Sequence, residues 1–277
     1  MKFIIYLGVY QFNQEGIHMT FNHQNELVNK AVAVLESLES GNPEAIKAYV
    51  HPEKYIQHNQ ALLDGREAML GALAHLKEAG TKVSIKRAFV DGDYVVLHSV
   101  YDFFGPKIAI DIFRFENGLI VEHWDNLQAM AEKTPSNHTM IDGPVTIQDI
   151  DKTDANKTLV KSYVENILFG KNPDLLASYF DGDRYIQHRP HIADGLSGLH
   201  AALQALAEKN VTFEYTHLHQ VIGQGDFVLT VSEGLFDGRP TAFYDLFRVE
   251  NDKIAEHWDV VEAILPPEKR KNSNSRF

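Results

Sequence analysis

Two carboxylates and an imidazole recur in this chain at one spacing. Asp111, His123 and Asp125 return as Asp245, His257 and Asp259, within two fifteen-residue stretches that share ten identities. Upstream, Lys54 to Gly65 and Arg184 to Gly195 share six residues of twelve. That second pair carries Tyr55, Gln57 and His58 in one copy and Tyr185, Gln187 and His188 in the other. Such residue types suit acid–base chemistry. An aspartate in a mostly apolar cavity, next to a second carboxylate, holds its proton more tightly than in water. That is how a carboxylate becomes a proton shuttle near neutral pH. Either aspartate of each copy could carry the proton, Asp111 or Asp125 and Asp245 or Asp259, with His123 and His257 beside them. Gln57 and Gln187 would hold the substrate oxygen. Two readings stand for the Gln–His pairs: hydrogen bonding to substrate, or tying their segment to the helix that follows.

Whether these side chains meet depends on one hairpin. A two-residue Asn117-Gly118 turn would put Asp111 on the face of Glu122 and Trp124. A three-residue loop with Gly118 left-handed in a bulge would shift the pairing by one. The second register is preferred, because it pairs Arg114 with Glu122 across strands. It also gathers Asp111, His123 and Asp125 around Phe113, and Asp245, His257 and Asp259 around Phe247. Trp124, Ile112, Trp258 and Leu246 then form an apolar patch on the opposite face. Such a patch must be covered, so a sheet-to-sheet contact between the copies is expected, an intramolecular pseudo-dimer that leaves room for a higher oligomer.

The elements that must position these residues read alike in both copies. Asn25–Leu38, Pro43–Val50 and Arg66–Lys77 have helical spacing, and four alternating strands follow over residues 83–90, 94–103, 108–115 and 119–127. The second copy repeats the order, with helices near 155–169, 173–179 and 196–208. Helices first and an antiparallel sheet after define an α+β domain with the helices on one sheet face. The copies are expected over residues 22–130 and 155–265, joined by a polar linker over 131–154. Residues 1–21 read as a leader and 266–277 as a disordered polar tail. The apolar run Phe3–Tyr10 lacks a small-residue cleavage site and is too short to span a membrane, so a cytoplasmic protein is expected.

Composition closes off other chemistries. A formal charge of −12 argues against nucleic acid, whose phosphates need clustered Lys and Arg. The absence of cysteine removes thiolate nucleophiles and Cys-bound zinc. His98 has Val231 in its place in the second copy, and His217 and His219 lack partners in the first, so no metal site is expected.

Tyr-Ile-Gln-His ahead of Asp-Gly, and the late Phe-Arg-x-Glu-Asn-x-x-Ile-x-Glu-His-Trp-Asp hairpin, together resemble the SnoaL-like branch of the nuclear transport factor two-like superfamily, over both copies. The resemblance implies a cone-shaped domain, a curved sheet wrapped with three helices around a cavity. It also implies a polyketide cyclase-like intramolecular aldol condensation without metal or cofactor, with Asp125 and Asp259 as acid–base residues behind His123 and His257. Two departures bear on the substrate. Asp111 and Asp245 stand where the cyclases carry histidine, and Gln57 and Gln187 where they carry asparagine. The expected activity is therefore acid–base catalysis on a small apolar carbonyl compound; the rival is a non-catalytic binding protein for a hydrophobic ligand.

Overall fold

The structure, a computed structural model, describes the chain from residue 15 onward, and its side chains from residue 24. The first copy runs α1 (Glu15–Ser40), α2 (Glu44–Tyr49), β1 (Ile56–Gln57), α3 (Arg66–Glu78), β2 (Lys82–Asp91), β3 (Tyr94–Asp102), β4 (Pro106–Glu116) and β5 (Leu119–Ala129). The second runs α4 (Thr153–Tyr163), a π turn over Val164–Leu168, a 3-10 helix over Pro173–Tyr179, β6 (Ile186–Gln187), α5 (Gly195–Glu208), β7 (Phe213–Gln224), β8 (Phe227–Phe236), β9 (Arg239–Glu250) and β10 (Lys253–Ala263). Each copy is a five-stranded sheet, in the orders β1-β5-β4-β3-β2 and β6-β10-β9-β8-β7. The α+β duplication is as expected. Within the expected leader, residues 15–21 are helical; the part before residue 15 lies outside the described residues.

Helix α1 covers one sheet face because Leu27, Ala31, Val34 and Leu35 form a single helical stripe, all fully buried. The helix stops at Gly41, whose φ of +69° is left-handed and whose N–H bonds back to Ser37 O. Ile46 of α2, Leu73 of α3, and Val95, Leu97, Phe113 and Phe115 of the strands complete this core.

The decisive hairpin reaches the expected register by another route. Asn117 and Gly118 both have positive φ, 51° and 76°, and Glu116 pairs with Leu119, so the turn has two residues, not three. The shift comes further along. Phe115 pairs with Ile120 and Arg114 with Glu122, leaving Val121 as a bulge. The second copy repeats this with Asn251 and Asp252 in the turn and Ala255 in the bulge. Beyond each bulge, Asp111 faces Asp125 and Asp245 faces Asp259. Arg114 donates to Glu122.

The opposite faces of the two sheets meet. Ile108, Ile110, Ile112 and Trp124 share one buried cluster with Leu229, Ala242, Leu246, Trp258 and Val260. The contact carries reciprocal hydrogen bonds: Leu127 N–H to Glu262 Oε2 at 3.1 Å, and Val261 N–H to Gln128 Oε1 at 2.9 Å.

The segments after β5 and β10 cross over. Residues 136–142 dock on the second copy, where Ser136 Oγ donates to Gln187 O, His188 Nδ1 to Thr139 O and Trp258 Nε1 to Asp142 O. Residues 271–277 dock on the first. Lys271 N–H donates to Gln60 O, Asn272 to Asn59 O and Leu62 O, Asn274 to Gln57 O, and His58 Nδ1 to Ser275 O. This corrects the expectation of a disordered tail. Its asparagines satisfy backbone carbonyls that the loop after β1 leaves open.

Candidate active site

Each cluster forms where a sheet face meets a short crossing strand. Asp111, Phe113, His123 and Asp125 share one face because β4 pairs Asp111 with Asp125 and Phe113 with His123. Parallel pairing of β1 with β5 puts Gln57 opposite His123, and β6 does the same for Gln187 and His257.

In the first copy His123 Nε2 lies 3.1 Å from Asp111 Oδ1, and Tyr101 on β3 donates to Asp111 Oδ2 at 2.9 Å. Gln57 Nε2 lies 3.2 Å from His123 Nδ1 and donates to Tyr55 OH at 3.1 Å. Phe113 stacks on the imidazole, ring centroids 4.5 Å apart. Asp125 belongs to a separate set: Asn59 Nδ2 donates to its Oδ2 at 3.0 Å, and Arg276 Nη1 lies 3.5 Å from its Oδ1.

The second copy rebuilds this. His257 Nε2 lies 3.0 Å from Asp245 Oδ1, Tyr215 donates to Asp245 Oδ2 at 3.0 Å, and Gln187 Nε2 donates to Tyr185 OH at 3.2 Å. Phe247 stacks on His257 at 4.8 Å. Asp259 Oδ2 meets Arg189 Nε at 3.1 Å. Gln187 Oε1 accepts the backbone N–H groups of His188 and Arg189, so it is an acceptor toward His257 Nδ1 as well, 3.1 Å away. His257 Nδ1 therefore carries a hydrogen, and Nε2 and Asp245 Oδ1 share one proton between them.

Both clusters are buried: Asp111 and Asp245 are each 1% exposed. Burial pushes the Asp111 carboxyl up, against the pull of His123. Burial likewise raises Asp259, opposed chiefly by Arg189. The phenols of Tyr55, Tyr101, Tyr185 and Tyr215 are raised well above their ordinary value by burial, so they stay protonated and remain donors.

Most of the residues singled out in the sequence thus come together. His58 and His188 do not. They point to the other face, stacked on Trp124 and Trp258 at 4.3 and 4.7 Å, where they anchor the crossing segments. Sequence reasoning missed Tyr101, Tyr215 and Arg276, and marked Asn59 and Arg189 only as a difference between the copies. The tyrosines occupy different places in the two copies. Tyr101 lies on β3 opposite Val83, whereas Tyr215 lies on β7 opposite Gly234, the position equivalent to Tyr101. A comparison of the copies position by position cannot find them.

The donor atoms of Asp111, His123 and Asp125 lie within 4.8 Å of one another, close enough to hold a divalent cation. The guanidinium of Arg276 already brings positive charge to Asp125, and His123 and Asp111 already satisfy each other. Two surface clefts, one along Asp154–Ser162 and one along Asp91–Tyr94 and Gln220–Ile222, are lined by none of the cluster residues. Among the described residues, no helix is long and apolar enough to cross a membrane.

Two fused α+β domains, each holding a buried carboxylate–imidazole–phenol array under its helices, define the class. A model of the SnoaL-like domain matches residues 31–123 and again 160–257. The chain belongs to the SnoaL-like family, in two copies. Similar solved structures include the candidate polyketide cyclase IdmH of Streptomyces antibioticus, at 18% identity over 37% of this chain and 91% of its own, TM-score 0.33. Another is an NTF2-like protein of Burkholderia xenovorans, at 14% identity over 40% and 89%, TM-score 0.35. A third is an LEH-like epoxide hydrolase of M. tuberculosis, at 16% over 38% and 84%, TM-score 0.32. A search of curated protein sequences gives no match.

Proposed function

We propose that the chain is a cofactor-independent acid–base enzyme acting on a small, largely apolar carbonyl compound, by intramolecular aldol condensation or a related proton transfer. Asp125, and Asp259 in the second copy, take the proton from the carbon next to the carbonyl. Gln57 and Gln187 donate from their amides to the enolate oxygen, and the Asp111–His123 and Asp245–His257 pairs, steadied by Tyr101 and Tyr215, keep those amides in place. The enolate carbon then attacks a second carbonyl of the same molecule, and the aspartate returns its proton to the new alkoxide.

One observation carries this reading. Both copies place a buried phenol on the same carboxylate, from different strands. Packing alone does not call for a phenol at that oxygen by two routes, whereas a carboxylate–imidazole pair held in one geometry does.

The test is hydrogen–deuterium exchange at the α-carbon of a panel of apolar diketones in D2O. The parent protein should speed exchange, and Asp125→Asn with Asp259→Asn should abolish it with the fold intact, since an amide cannot accept the proton. Unchanged exchange in the double variant would end the acid–base reading. A binding-protein reading is favoured by the near-complete burial of both clusters; a hydrophobic compound that co-purifies unchanged, without α-exchange, would support it.

A further inference from the structure

Both sites set a guanidinium against the second aspartate, and they obtain it from different places. In the second copy Arg189 lies two residues beyond β6 and stands 3.1 Å from Asp259. The first copy has Asn59 at the equivalent position, bonded to Asp125 Oδ2. Its guanidinium is that of Arg276, in the segment after β10, 3.5 Å from Asp125 Oδ1. The crossing segments match at their histidine anchors. His58 Nδ1 donates to Ser275 O and His188 Nδ1 to Thr139 O, both at 2.7 Å. The residue after each anchor is Arg276 in one segment and Met140 in the other. The copy whose own loop lacks the arginine therefore receives one from the crossing segment, and the copy that has it receives a methionine.

We propose that Arg276 is a positioning residue of the first site, which is complete only when the segment following the second domain is seated on it. The proposal rests on the acid–base reading of Asp125 and names how that carboxylate is held. Arg276 is 6% exposed and is fixed from both domains, donating to Asn126 Oδ1 on β5 and to Glu262 Oε2 on β10. The charged or titratable groups around Asp125 are otherwise acidic or neutral, apart from His123: Asp111 on β4, Tyr55 before β1, Tyr101 on β3, and Tyr244 and Glu262 on the second sheet. Arg276 brings positive charge to Asp125 among them, with its Nη1 3.5 Å from Oδ1. Burial works to discharge Arg276, and Tyr244, Glu262 and Asp125 outweigh it.

The experiment labels carboxylates of the full-length protein with carbodiimide and glycine ethyl ester, read by peptide mass spectrometry. Protection of the Lys271 amide, bonded to Gln60 O, reports seating of the segment. Arg276→Met should raise labelling of Asp125 by about fivefold or more, a local-opening effect. Arg276→Lys should stay within about twofold of the parent, because it keeps the charge. Asp259, held by its own Arg189, should not change in either. Parent-like labelling of Asp125 in Arg276→Met overturns the proposal, as does equal labelling in the Met and Lys variants with Lys271 still protected. Should Arg276→Met unseat the segment, Asn272→Ala with Asn274→Ala decides, because it frees the segment while the arginine itself is retained. Raised Asp125 labelling then supports the proposal, and parent-like labelling with Lys271 exposed overturns it. No readout needs turnover, so failure of the catalytic reading and failure of this one are separable.

Discussion

Asp111 and Asp245 survive in the interior because Tyr101 and Tyr215 donate to them. A buried carboxylate oxygen that loses its donor carries the full desolvation cost. Tyr101→Phe and Tyr215→Phe should each lower stability by about 1–3 kcal/mol, read from urea melts. A midpoint unchanged from the parent in either variant would mean that the phenol is not what satisfies the carboxylate. At this scale, legibility followed repetition. Asp111, His123, Asp125 and Gln57 were found because they recur at matched positions. The tyrosines escaped because the copies place them on opposite sides of a cross-strand pair. Asn59 and Arg189 stood out as a difference between the copies, but a changed residue shows no role until its contacts are known.

At the scale of elements, the β4–β5 hairpin decides which residues share the site. Its outcome was legible and its route was not. The Arg114–Glu122 pair and the clustered carboxylates pointed to the right face. A bulge at Val121, however, has no signature of its own when turn and bulge each shift the register by one. The turn demands left-handed geometry at both central positions. Gly118→Ala should cost about 1 kcal/mol through backbone strain. The added Cβ would meet only the flexible tip of Lys30, at 3.3 Å, so packing contributes little. Equal urea midpoints for variant and parent would show that the turn relaxes without penalty. The second copy already tolerates Asp252 at φ 59°.

Over the whole molecule, the faces away from the sites form one shared core. Trp124 is 5% exposed and Trp258 fully buried. Trp124→Ala should destabilise by roughly 3 kcal/mol or more, as large-to-small core changes do; parent-like melting would place the indole in solvent. The seam also gives a pH dependence. Burial pushes the Glu262 carboxyl up to about 7, from an ordinary 4.5, against the pull of Arg276. The folded protein therefore holds a proton there that the unfolded chain has already released. That contribution to stability is full below the unfolded value and is lost as pH rises through the folded one. Asp111 and Asp259 shift in the same sense. Urea melts of the parent at pH 5 and pH 8 should show this fall, and Glu262→Gln should flatten it. An unaltered slope in the variant would remove Glu262 from the account. The inter-sheet face was legible from its alternating apolar residues. The crossing segment was not, since asparagines that bind loop carbonyls have the composition of a chain that binds water.

The exchange of segments between the copies has an evolutionary consequence. Two separate identical subunits with exchanged arms would be bound to symmetry, because any change in one arm would alter both sites at once. Fusion into one chain releases that constraint. A substitution on one arm now reaches one site alone, which is how one arm carries Arg276 and the other Met140. Each half is free to change at its site without changing the other.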